Sequence, residues 1–312
     1  METPAATEAE AETTPQASPA LLDTLPRADS VLPPPPEGAH WVEDHHPNGV
    51  RKSARTVRRV EDGIVNHGPY LRWFETGFLA EQGEFLDGER HGLLRTFYET
   101  GLRLAETEYD RGVIHGELRR FDPMNELIQR SHYARGKLEG LEELWWDGSH
   151  RRARTNWSND LPHGDWIQWH FEGPASESGR YEHGARVGEW RYRSAEDVLI
   201  RVENYAAGRL HGVYEEYDEQ GAPVRKGNYL NGLAQGEQIE FHPGGAQIKS
   251  RIEYAGGRPN GRARTWHIDG KPESDGQMLE GQREGRWTYW NSDGSIHARM
   301  TGEYRAGERV GD

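Results

Sequence analysis

Aromatic and apolar positions recur along this chain with a period of 24 residues, each at a fixed distance from a glycine that a turn precedes. The glycines are Gly68, Gly92, Gly116, Gly140, Gly164, Gly188, Gly212 and Gly236, and Gly261, Gly285 and Gly311 follow after 25, 24 and 26 residues. Five residues beyond the glycine lies an aromatic in most copies, among them Trp73, Phe97, Trp145, Trp169 and Tyr217. Seventeen beyond lies a second, as in Phe85, Tyr109, Trp157, Tyr181 and Tyr205. Self-similarity at this period predicts a repeat architecture, in which each unit buries apolar surface only against its neighbours.

Turn signals separate these positions at intervals of 11 and 13 residues, and several are Asp-Gly or Asn-Gly pairs: Asp87-Gly88, Asn231-Gly232, Asp269-Gly270 and Asp293-Gly294. Such pairs supply the positive φ angles of tight hairpins. What remains between turns is strand length, too short for a helical crossover. The pattern predicts an all-β chain, an elongated single-layer antiparallel meander of about ten β-hairpin repeats. At about 4.8 Å per strand it would extend roughly 95 Å. The aromatics two residues (Tyr70, Trp166, Trp190, Tyr214, Trp287) and five residues beyond the glycine differ by an odd number. Alternation would put them on opposite faces unless a bulge intervenes. Arg193 and Asp197 replace the aromatic and the turn glycine of one unit, which is expected to be the weakest in the array.

The pattern G-x-W-x-x-W…D-G…Y-x-x-G-x-x-x-G, seen in Gly285-Arg286-Trp287-Thr288-Tyr289-Trp290 and in Tyr229 to Gly236, resembles MORN repeats. It is most similar to the bacterial MORN-repeat variant, often labelled the YwqK-like antitoxin family, over about residues 48–312. The resemblance implies a non-catalytic scaffold for protein–protein contacts. More narrowly it implies an antitoxin or immunity protein that blocks a toxin. Family identity at this level rests on structural residues and says little about function.

Residues 1–47 break the period. They hold nine of the 17 prolines, including Pro33 to Pro36, and nine acidic residues against Arg27 alone. They are expected to be a disordered acidic tail, with the repeat array occupying 48–312. The net charge of −14 argues against nucleic acid or an anionic membrane as partner. The basic run Arg51-Lys52…Arg58-Arg59 reads as a solvated strand edge. No cysteine is present, which removes disulfides and thiolate chemistry. No secretory leader or membrane-spanning run is apparent, so a cytoplasmic location is expected.

Chemistry is not indicated. Histidines precede five repeat glycines (His67, His91, His115, His163, His211), but equivalent positions two strands apart are about 9.6 Å from each other. A shared metal ion needs every ligand within about 2.1 Å. They read as turn residues tolerant of unusual backbone angles. No nucleophile, phosphate-loop or zinc-protease motif occurs, so no catalytic residue, metal or cofactor is expected. Six of the 11 tryptophans lie between Trp145 and Trp190. Trp146 stands at an offset that is otherwise mostly polar. Trp145, Trp146, Arg151, Arg152, Trp166 and Trp190 are therefore the candidate partner-binding residues, since exposed Trp and Arg anchor interfaces. Stacking of the aromatics on glycan rings and peripheral membrane association are the alternatives.

Overall fold

The structure, a computed structural model, describes residues 25–312. It comprises two compact units, Met1–Lys137 and Leu138–Asp312. Among the described residues the first unit holds eight strands of seven residues or more, Ala39–His45 through Leu127–Ala134, each antiparallel to the next. The second is an antiparallel meander from Gly140–Trp145 to Glu308–Gly311. Both units are all-β, as the spacing of turns predicts.

Two kinds of turn alternate. Asp87-Gly88 (φ 52° and 92°) and Asn231-Gly232 (53° and 88°) have positive φ at both central residues, the backbone twist that two-residue hairpins favour. Asp269-Gly270 and Asp293-Gly294 close longer loops in which only the glycine is left-handed, so the same dipeptide serves two geometries.

The repeat glycine itself lies within a strand and not at a turn. Gly116 (φ 108°) sits inside Val113–Phe121 and Gly164 (φ 104°) inside Leu161–Trp169. The ladder register shifts beside each. A side chain across the bulge meets the backbone it loosens. Glu108 accepts from the Glu117 N–H (3.1 Å), and Asn156 Nδ2 donates to the Asp165 carbonyl (3.1 Å). A bulge with positive φ selects glycine, and this sets the 24-residue period.

Both faces of the sheet carry aromatics. In the first unit Tyr70 packs edge-on against Phe85 at 5.4 Å. Trp73 instead joins Ala54, Leu71, Leu79 and Phe97 in a core on the opposite face. A second bulge recurs beside each of these later aromatics, as between Gln168 and Trp169, without moving them to the first face. On the Tyr70 face one column of paired residues alternates large and small. In the second unit Trp166 pairs with Gly179 and Tyr214 with Gly227, and Trp287 lies against Gly276.

Residues 25–47 differ from the expected disordered tail; the part of that tail before Leu25 lies outside the described residues. Ala39–His45 is a strand paired with Arg51–Val60. Leu25, Ala28, Leu32 and Trp41 pack on the Trp73 core. These four apolar side chains, scattered among prolines and acids, cover what the first repeat has no neighbour to cover. The basic run is consequently not an edge. Its strand is paired on both sides, and Ser53, Ala54, Thr56 and Val57 are buried.

Candidate functional site

Of the six candidate residues, all in the second unit, Trp146 and Arg152 join an exposed cluster at a loop edge and Trp166 and Trp190 a packed one within the sheet, while Trp145 and Arg151 belong to neither. Trp146 opens the loop after the strand Gly140–Trp145 and is 47% exposed; Phe171, in the next equivalent loop, is 51% exposed. The two rings meet edge-on at 6.5 Å. His150 stacks on Phe171 at 4.7 Å, and the Arg152 guanidinium lies 5.0 Å above the Trp146 ring.

Asp147 fixes His150 within this cluster. Its carboxylate accepts from the backbone N–H groups of Ser149 (3.0 Å) and His150 (2.9 Å) and from Ser149 Oγ (2.9 Å), and both its oxygens lie 2.8 Å from His150 Nδ1. The His150 hydrogen bond foremost, with the backbone donors, holds the Asp147 carboxyl well below the usual carboxylate range. The first loop therefore holds His150 in place, and its ring stacks on Phe171 of the next.

Arg151 and Arg152 do not share a surface. The ladder shifts at Trp145, which pairs with Arg151, so Arg152 turns to Trp146 while the Arg151 guanidinium lies 6.0 Å from the Trp169 ring. Trp145 is half-buried.

Trp190 is fully buried, at 0% exposure, and offers a partner nothing. It is enclosed by Trp166 (5.5 Å), Tyr181 (5.0 Å) and Tyr205 (6.4 Å), with the Arg186 guanidinium 4.0 Å over its ring. Its indole N–H is buried without an acceptor, so packing holds it. Arg186 in turn donates to Tyr192 Oη (2.6 Å) and Glu177 (2.7 Å), and Tyr192 and Tyr205 both donate to Glu203 at 2.7 Å. Burial first, then the hydrogen bond to Glu203, pushes the Tyr192 hydroxyl pKa up. Trp166 is part of this same packing and only half-buried. The Arg193 and Asp197 replacements also have an internal answer: Arg193 Nη1 donates to the Asp197 carbonyl and to its carboxylate, both at 3.0 Å.

The five histidines before the repeat glycine lie in strands with ordinary backbone angles and not in turns as expected, and His115 and His163 each cap a neighbouring turn. His115 Nδ1 accepts from the Arg135 N–H and His163 Nδ1 from the His183 N–H, each at 3.3 Å. A second set, His46, His170, His242 and His267, reaches the carbonyl of the next repeat's residue at 2.8–3.1 Å through Nε2. Sequence spacing exposes neither pairing, because each partner lies 20 or more residues away. Among the described residues no group of three or more His, Asp or Glu side chains is placed to hold a metal ion. No helix there is long and apolar enough to cross a membrane.

Residues 210–231 match the family model described as MORN repeat variant, which supports a MORN-repeat protein. No curated protein matches the chain. Two solved structures, described as "Crystal Structure of TcdB2-TccC3-Cdc42" and "Crystal Structure of TcdB2-TccC3-TEV", align at 11% identity over 85% and 86% of this chain, with TM-scores of 0.15 and 0.14. The alignments cover 21% of those chains, so this chain spans about a fifth of their length, and likeness at that score carries no argument.

Proposed function

We propose that this protein is a non-catalytic binding module that engages a protein partner through the loop edge of its central repeats. The observation that carries the reading is the cluster of exposed Trp146 and Phe171 around His150, in which Asp147 holds His150 and Arg152 lies over Trp146. Aromatic and arginine side chains fixed before binding lose little entropy on docking and serve as anchors. The MORN repeat match adds that such repeats are generally structural modules. Blocking a toxin would be one form of such binding.

The test compares affinity capture by the wild-type chain and by Trp146→Ala, quantified by mass spectrometry. A protein retained by the wild type should bind the variant at least about fivefold more weakly, a loss above about 1 kcal/mol. The melting temperature should stay the same. Equal retention of every partner by both chains would remove this reading.

A further inference from the structure

Four arginines stand two residues before a repeat glycine: Arg90, Arg186, Arg283 and Arg309. Three of them hold a carboxylate. Arg90 Nη2 donates to Glu81 (2.6 Å), Arg186 Nη2 to Glu177 (2.7 Å) and Arg309 Nη2 to Asp312. Arg283 pairs with no carboxylate among the described residues. It donates to Tyr289 Oη (3.1 Å) and to the Gly307 carbonyl (3.3 Å), which leaves N–H groups of its fork to spare.

Arg186 and Arg283, both in the second unit, have matching surroundings except for the acids. Each guanidinium lies over a tyrosine ring, Tyr205 at 5.7 Å and Tyr304 at 4.3 Å. Each donates to a second tyrosine, Tyr192 or Tyr289, and each site holds a tryptophan seated on a glycine, Trp190 or Trp287. Glu177, paired with Tyr192, corresponds to Ser274, paired with Tyr289. Glu203, paired with Trp190, corresponds to Gly302, paired with Trp287. Two bulky neighbours shrink as well. Trp166 corresponds to Ala263, since both pair with the seating glycine, and Tyr181 to Met278, since both pair with the repeat glycine.

These smaller residues leave an open cleft of about 650 Å³. Arg283, Tyr289 and Ser274 supply its polar groups, and Ile252, Met278 and Trp287 supply apolar ones. Ser274 Oγ and Thr265 Oγ1 are 2.8 Å apart, so one of the two hydroxyls still has a proton to give. Tyr289 Oη accepts from Arg283 and keeps its own proton, where Tyr192 gives its proton to Glu203 at 2.7 Å. Glu308 also lines the cleft; it is exposed and forms no ion pair among the described residues.

We infer that this cleft binds an organic carboxylate carried on an apolar body. Arg283 and Tyr289 take the carboxylate as Arg186 takes Glu177 and Tyr192 takes Glu203, and the apolar part lies against Ile252, Met278 and Trp287. An arginine fork beside a hydroxyl donor matches the planar, acceptor-only carboxylate. A cleft of this size, with few convergent polar groups among apolar ones, suits a small ligand. The net charge of −14 gives the rest of the chain no general pull on anions. The inference goes beyond the partner binding proposed above and does not rest on it.

The probe is 4-phenylbutyrate, titrated against the full-length protein by ligand-observed NMR, with 4-phenylbutyramide as its uncharged counterpart. Saturable binding of the acid is expected, and binding of the amide at least tenfold weaker. Ser274→Glu supplies from within the carboxylate that Glu177 gives Arg186. It should weaken binding at least tenfold while the melting temperature holds or rises. Tyr289→Phe, which keeps the ring, should weaken binding at least threefold. Arg286→Gln, at an exposed arginine one residue beyond the repeat glycine, should leave it unchanged. Should Ser274→Glu fail to fold, Tyr289→Phe decides alone. No saturable binding, equal binding of acid and amide, binding that survives Ser274→Glu in a folded chain or is indifferent to Tyr289→Phe, or inorganic phosphate competing as well as the acid itself, would each overturn the inference.

Discussion

Trp190 lies against the backbone of Gly179: a Cβ at residue 179 would fall 2.2 Å from the indole ring. The glycine is a seat for the largest side chain, and Trp287 is seated on Gly276 in the same way. A sheet with no second layer thus buries its aromatics by sinking them into gaps of the adjacent strand.

Gly179→Ala should destabilise the protein by about 1–3 kcal/mol, because Trp190 is enclosed and has nowhere to move. Trp190→Ala should cost about 3–5 kcal/mol. Chemical denaturation measures both. By the same packing, hydrogen exchange across residues 188–208 should be as slow as in the flanking repeats, against the weakness that Arg193 and Asp197 suggest from sequence; early opening there would show that their ion pair does not compensate.

Removing residues 25–38 should lower stability by on the order of 2 kcal/mol, since it strips apolar cover from Leu71, Trp73 and Leu79. The sequence by itself predicts that loss of residues 1–47 is harmless. Thermal unfolding of the truncated chain, with a red shift of tryptophan emission as Trp73 meets water, decides between the two.

His115→Ala should cost about 1 kcal/mol, the usual worth of one hydrogen bond, by leaving the Arg135 turn amide without its acceptor. His163→Ala should do the same at His183. Melting curves with unchanged midpoints would show that water replaces the ring.

Alkaline pH should unfold the second unit progressively. Burial, together with the neighbouring carboxylates Glu216 and Glu215, pushes the hydroxyls of Tyr214 and Tyr217 up to about 12 from an ordinary value of 10.0. A group whose folded pKa is raised stabilises fully below its unfolded pKa. That contribution is lost as pH rises through the folded value. Stability should hold to about pH 10 and fall between about 10 and 12. Tyrosinate absorbance followed alongside the melting temperature tests the coupling, and Tyr217→Phe should flatten part of the fall.

The sequence by itself determined the period, the hairpin unit and the antiparallel meander. Those follow from local rules: glycine where φ is positive, turn residues at 11 and 13, and strands too short to be anything else. The same rules placed Trp146 outside the pattern, and the structure exposes it. Only the tertiary structure decided what each face buries. Trp190 and Trp146 are both tryptophans in the same part of the chain, yet one is sealed by Tyr181, Tyr205 and Gly179 and the other stands at a loop edge. Burial in a thin sheet depends on the size of the side chain one strand away, and that side chain lies about 9 to 15 residues off in sequence. The order of residues 25–38 is hidden from the sequence for a related reason. Composition counts how much apolar surface a segment carries, but not that Leu25, Ala28 and Leu32 find an uncovered first repeat waiting for them.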